Sequence, residues 1–481
     1  MGDNGVATQF ADRNEAEWRA VAEKALAGAG FETLVSRSDD GIAYGPLYPR
    51  RTPAMPIAGR AAGTGWTIVQ PLDDPDPSRA NTQALVDLEA GAEALSLCFE
   101  GAAASRGFGL KLEDETLATA LDGVLLDIVH IRVEPHPQGS EALAALLRLA
   151  ARRGLSPSAL SIDAGIDMVG PLAFSGRFPD DDRALRAGCG ALARSRADDG
   201  MGGRTVEADG RVYHDAGASE AQELGAVLAT AVWHLRALVG AGMAPGAAAD
   251  AIGFTLAADQ QQFLVMAKLR ALRLLWRRVL DLSGVASPAP ARLHVETSYR
   301  MMTAHDPHGN ILRTTIAAFA AATGGADSIA VLPFTAANGL AEARARRLAR
   351  NTQVILREEA GLACVADPSA GSGGVEALTD ALARAGWDAF RQIETEGGIF
   401  ASLKAGILQA RIAETRQARE AEIAAGRHAI IGVTHYPLGK TQAAPLLTTR
   451  EEARTGDAGD APPAVLPLQA TRLAATPEAH P

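Results

Sequence analysis

WTIVQ at 66–70, ALSLCFE at 94–100, VLLDIVHIRV at 124–133 and ALSID at 159–163 are short apolar runs, each followed by a helical stretch. RTVEADGRVYHD at 204–215, IGFTLA at 252–257, RLHVETS at 292–298 and SIAVLPF at 328–334 continue the series. Helical periodicity fills the gaps at Ser140–Arg153, Asp182–Arg196, Ser219–Val239, Gln260–Leu282, Asn310–Ala322 and Ala341–Ala360. Strands that alternate with helices predict a parallel sheet, because each crossover returns the chain to the same end of the sheet. Eight such steps over about 300 residues predict an α/β fold of the closed (β/α)8 TIM-barrel type. A doubly wound open sheet is the alternative, but no glycine fingerprint follows the first strand.

Outward from this block the character changes. Residues 1–60 hold a helical stretch, Glu15–Ala29, and then SDDGIAYGPLYPRRTPAMPIAGRAAGTG, which follows neither a helical nor a strand period. This piece predicts an extended arm that must pack on its own domain or on a partner. The region 375–424 is strongly helical and AIIGVTHYP reads as one more short strand. We therefore divide the chain into an arm (1–60), a barrel with a helical segment after it (61–440) and a linker-like tail (441–481), rich in Pro, Ala and Thr.

Composition excludes several classes. With 46 Lys+Arg against 57 Asp+Glu the net charge is −11, which argues against a nucleic-acid binder. Apolar runs such as Ile329–Phe334 are far too short for a membrane span, and the N-terminus has no secretory apolar region. Cys98, Cys189 and Cys364 give no paired spacing, so a reducing, cytoplasmic setting is expected. Of the basic residues 41 are Arg and 5 are Lys, in an Ala- and Gly-rich chain, a composition of high-GC bacterial genomes.

The residues offer no self-evident catalytic set. His130, His136, His214, His305 and His308 lie at or after strand-like runs, but no HxH or HExxH pattern links them, and a polar turn accounts for the 305–308 pair without a metal. Gly439-Lys440-Thr441 lacks the earlier glycine of a phosphate loop, since Thr434 stands there. The run Ala370–Gly374 precedes a helix and could offer amides to an anion or simply cap that helix. No GxSxG elbow is present.

Specific signals cluster at 292–395. Thr297-Ser298, Thr303-Ala304-x-Asp306, Asn310, Arg313-Thr314 and Ala349-Arg350-Asn351-Thr352-Gln353 occur in order. Glu358-Glu359-x-Gly361, Asp367-Pro368-x-Ala370-Gly371-Ser372 and Val375-Glu376-x-Leu378-Thr379 follow. Upstream stand Gly41-Ile42, Pro46-Leu47-Tyr48, Trp66-Thr67-Ile68-x-Gln70, Ala216-Gly217-Ala218 and Ala267-Lys268-x-Arg270-Ala271-x-Arg273-Leu274-x-Trp276, and downstream Ile431-Gly432-Val433. This ordered set, over about residues 40–440, resembles the barrel domain of adenosylcobalamin-dependent methylmalonyl-CoA mutases.

The resemblance implies a barrel whose axis takes the pantetheine arm of a CoA thioester, with cobalamin held over its mouth by a separate C-terminal domain. The cofactor would supply the radical and the protein would orient and shield the reaction. Catalytic chains of the family carry Thr-Ile-Arg-Gln-Tyr where this chain has Thr67-Ile68-Val69-Gln70-Pro71, so arginine and tyrosine are both absent. Counted back from Ala216-Gly217-Ala218, Val212 stands at the position of the family's catalytic histidine, and valine cannot donate a hydrogen bond. The cofactor-facing Gln-Thr-Ser-Gly-Trp has become Glu296-Thr297-Ser298-Tyr299-Arg300, and no Asp-x-His-x-x-Gly cobalamin signature is present.

These departures resemble the small (β) chain of heterodimeric bacterial mutases, a diverged, non-catalytic copy that docks on the catalytic large subunit partly through its arm. On this resemblance no catalytic, cofactor-binding or metal-binding residue is expected here, and adenosylcobalamin belongs to the large subunit. The alternatives are a mutase barrel that borrows a cobalamin domain from another chain, and a CoA-ester-binding protein. For the latter Lys268, Arg270 and Arg273 could meet phosphates, unless they serve as a salt-bridged helix face.

Overall fold

The computed structural model describes residues 14–57, 59–437, 443–450 and 463–479. Eight parallel strands form one sheet: β1 Thr67–Leu72, β2 Ala94–Leu97, β3 His130–Val133, β4 Ile162–Asp163, β5 Val206–Asp209, β6 Ile252–Ala258, β7 Leu293–Thr297 and β8 Ser328–Ala330. Their order is β4-β3-β2-β1-β8-β7-β6-β5. The two ends of that order meet: Ser161 pairs with Gly202 and Ile166 with Val206, and Ala164 N donates to Arg204 O at 2.8 Å. The sheet is thus a closed barrel, as the alternation predicts.

Each strand is followed by a helix on the outside: α1 Pro77–Glu89, α2 Asp114–Ala120, α3 Gly139–Arg152, α4 Arg183–Asp198, α5 Glu220–Gly240, α6 Gln262–Leu282, α7 Gly309–Thr323 and α8 Ala343–Val354. Local chemistry starts them where they start. Asp76 caps α1, accepting from Ser78 N at 2.9 Å, with Pro77 pre-set for the first turn. Ser219 and Gln222 form a reciprocal capping box on α5. Helix α5 is buried on nearly all faces because a further helix, α9 Gly373–Thr395, packs outside it. Among the described residues no helix is long and apolar enough to cross a membrane.

Two sequence expectations fail for a glycine-related reason. In 204–215 the strand stops at Asp209, and Gly210 opens a short helix, Arg211–Ala216. A Cβ on Gly210 would meet Val227 at 2.8 Å and Glu223 at 2.9 Å, so only glycine lets the chain turn against α5. AIIGVTHYP is not a strand but a turn closed by one bridge between Ile431 and His435, with Gly432 at φ 82°.

The arm divides in two. Residues 38–57 lie on this chain's own barrel: Asp40 accepts from Ser219 Oγ and Ala221 N, Ile57 N donates to Asp367 at 2.8 Å, and Arg51 pairs with Asp380 at 2.7 Å. The helix Glu15–Ala25 buries no residue; its Trp18 meets Phe31 edge-on at 5.9 Å. At the other terminus, residues 463–479 lie across the barrel mouth, and Leu446–Thr449 pairs antiparallel with Gly339–Ala341 beside it.

Candidate functional site: the barrel axis and its mouth

Several residues on or just after the strands form a charged network in the barrel, paired largely with one another. Arg132 on β3 donates to Thr255 Oγ1 on β6 at 2.7 Å and pairs with Glu207 on β5 at 3.3 Å. One layer higher, Arg211 holds Asp209 through Nε at 3.0 Å and Nη2 at 2.7 Å, reaches Glu296 at 3.2 Å, and pairs with Glu134. Glu134 also accepts from Ser96, and Arg106 pairs with the other oxygen of Glu296. All these side chains are buried or nearly so.

Charges in a dry core persist only when paired, and the titration behaviour follows. Burial would raise Glu134, but Arg211 and Arg132 outweigh it and hold its carboxyl far below the usual range. Burial likewise opposes the charge on Arg132, yet Glu207 and Glu134 hold it protonated. His294 is pushed well down by burial and by Arg132, so it is neutral at pH 7. The result is a cross-linked plug that joins β2, β3, β5, β6 and β7 through the axis.

Toward the mouth, the cavities beside the network and under the strap measure about 30 and 20 Å³, enough for one or two waters. A wider one of about 330 Å³ lies at the side, between the end of β1, α1 and the start of α8, lined by Pro71, Asp74, Arg79 and Arg346. Above the two small cavities the C-terminal strap is stitched to three loops. Ala464 N donates to Gly176 O at 2.9 Å and Leu468 N to Ala173 O at 2.9 Å, after β4. Thr471 N donates to Asp215 O at 2.8 Å, after β5, and Leu473 N to Arg300 O at 2.9 Å, after β7. Glu478 accepts from Ala304 N at 2.6 Å and His305 N at 3.0 Å. Leu468 and Ala474 are buried by this seat. Beside it Tyr299 lies between Arg106 and Arg450, 5.4 and 4.9 Å from its ring centre.

The positions singled out in the sequence now have places. Pro71 lines the cavity next to Glu134 and Glu296, and Val69 packs with Ala94 and Ala330. Val212 lies under the strap, beside Asp209 and Leu468. His214 does not replace it. It is fully buried outside the axis, with Nδ1 3.2 Å from Glu223 and Nε2 2.8 Å from Ser298. Burial and then Arg300 push it down to about 4, so it stands neutral at pH 7.

Lys268, Arg270 and Arg273 are also spoken for. Lys268 meets Glu223 at 2.6 Å, Arg270 pairs with Asp367 and Glu376, and Arg273 reaches Asp327 at 3.0 Å. They are internal struts, each paired with a carboxylate of its own chain. The glycine run before α9 is a seat as well: a Cβ on Gly373 would meet Pro49 O at 1.9 Å, because the arm crosses there. His305 and His308 stay in a turn, and among the described residues no group of three metal-ligating side chains converges.

Sequence reasoning missed both the axial network and the strap. Arg132 and Glu134 stand in a strand-like run where alternating charge reads as solvent exposure. Gly210 was the available signal that Arg211 turns inward. At the opposite end the strand starts open into a polar basin of about 730 Å³, with Arg204 and Arg292 in its wall. The Arg132–Glu207 pair forms its inner limit and separates it from the mouth.

A family model described as methylmalonyl-CoA mutase matches residues 58–458. The methylmalonyl-CoA mutase small subunit of Streptomyces virginiae is 39% identical over 97% of this chain and 76% of its own length. That of Propionibacterium freudenreichii subsp. shermanii is 31% identical over 90% of this chain and 70% of its own. The mitochondrial methylmalonyl-CoA mutase of Bos taurus is 27% identical over 90% and 62%.

Proposed function

The chain belongs to the methylmalonyl-CoA mutase family, and we propose that it works there as a non-catalytic small subunit beside a catalytic large subunit. The observation that carries this reading is the axis. A thioester arm threaded through the barrel would have to displace Arg132, Arg211 and Arg106 from their carboxylates, and breaking such a buried pair costs about 3–5 kcal/mol.

Adenosylcobalamin, when bound in this family, supplies the radical chemistry. The residues at this mouth do not fit it. The strap takes the face a corrin would cover, and the cavities below it hold no more than water. In this reading the chain carries no catalytic, cofactor-binding or metal-binding residue of its own. The large subunit would bind the cofactor and interconvert methylmalonyl-CoA and succinyl-CoA, as in propionate metabolism.

The arm supports the partnership. Its inner part, 38–57, is tied to this barrel, which leaves the helix Glu15–Ala25 with no fully buried residue and with Val21 67% exposed. We assign residues 1–60 to docking, 61–440 to the barrel unit and 441–481 to a tail whose 463–479 portion closes the mouth. Co-expression with a large subunit, size-exclusion chromatography and mutase assays of each chain and the complex test the reading. It expects a one-to-one active complex with this chain inert alone. Turnover by this chain on addition of only a free cobalamin-binding domain overturns it in favour of the split-mutase alternative.

A further inference from the structure

We propose that the strap 463–479 is a latch on the barrel mouth whose closure is coupled to a proton on Asp215. The inference stands on the mouth itself and does not depend on the small-subunit reading. Thr471 ties the strap to Asp215 twice, donating to its carbonyl from N at 2.8 Å and from Oγ1 at 3.1 Å. The carboxyl of the same residue lines the cavity of about 20 Å³ that Leu468 and Ala470 roof. Its Oδ1 is buried without a hydrogen-bond partner.

Charge around this carboxyl is already spent. Arg106, from the loop after β2, is paired with Glu296, and Arg211 with Asp209, Glu134 and Glu296. Arg300, from the loop after β7, gives Nη1 to His214 O and Ala218 O and Nη2 to Asp259, and its Nε has no partner. Asp167, below the Ala173 seat, is itself an acid held by Val169 N and Gly170 N. On the strap, Arg472 pairs with Glu478 at 2.7 Å and turns toward Met302. A carboxylate closed in here has no hydrogen bond to its buried Oδ1, whereas the neutral acid is tolerated.

Burial accordingly pushes Asp215 up to about 7, with Arg106 pulling back and Glu296 pushing on. Lifting the strap admits water and returns the group toward its ordinary 3.8. Because the value is raised in the closed state, closure is strongest below the ordinary value. It weakens about tenfold per pH unit through the interval, and levels off above about 7.

Hydrogen exchange of the full chain, followed in peptides from 463–479 between pH 5 and 8.5 and corrected for intrinsic rates, tests this. Protection is expected to fall steeply from pH 5 to 7 and then flatten, while Asp215→Asn keeps it high and flat. Arg106→Gln, a second variant, is expected to extend the fall to higher pH. Asp167→Asn, which removes another raised acid near the seat besides Glu220, is expected to leave the slope in place. Protection independent of pH in the unmodified chain overturns the latch. So does an unchanged slope in Asp215→Asn, an unmoved levelling point in Arg106→Gln, or a slope abolished by Asp167→Asn.

Discussion

Arg211 touches Asp209, Glu134 and Glu296 at once. Replacing it by methionine keeps the volume but strands three carboxylates in a dry core. The expected loss is about 3–5 kcal/mol of unfolding free energy in urea; a loss under about 1 kcal/mol would mean the network is hydrated. Glu223 makes the matching case for pH. Burial would raise it, but Lys268 and His214 bring it down to about 2. A depressed carboxyl contributes stability above its unfolded value and loses it as pH falls through the folded one. Glu223→Gln is therefore expected to be less stable at pH 7 and to lose less stability between pH 4.5 and 2. Parallel stability–pH curves for the two chains would contradict the pairing.

Among elements, the arm and α9 meet so closely that a single methyl decides the contact. Gly373→Ala places a Cβ on Pro49 O and is expected to cost about 1–3 kcal/mol of arm docking. Limited proteolysis at Arg50 and Arg51 reads this, and unchanged cleavage would contradict it. What the sequence discloses is greatest at this scale. The strands and six of the helices are legible because apolar side chains recur at the period each element buries. The strap is not legible, because Leu468 and Ala474 are isolated apolar residues whose burial depends on the loops beneath them. The axial network escapes for a related reason: whether a strand charge faces solvent or an axis is decided by closure of the sheet, not by its own neighbours. The departures at Pro71 and Val212, by contrast, needed only the aligned motifs, and the structure gives them their consequence.

For the molecule as a whole, plug and strap close the same barrel from within and from above. The basin at the other end leads no farther than Arg132 and Glu207. Restoring the family's histidine through Val212→His is therefore expected to leave turnover of the assembled complex within about twofold of the parent, because the substituted side chain meets the strap and the residues around the small cavities at the mouth, Asp209 and Phe174 among them. A large gain would place chemistry in this barrel. The most direct measurement is succinyl-CoA formation by the purified full chain alone, given saturating methylmalonyl-CoA and adenosylcobalamin, beside the same assay of its complex with a large subunit. The account predicts no turnover by the chain alone and full turnover by the complex; steady turnover by the chain alone would contradict it.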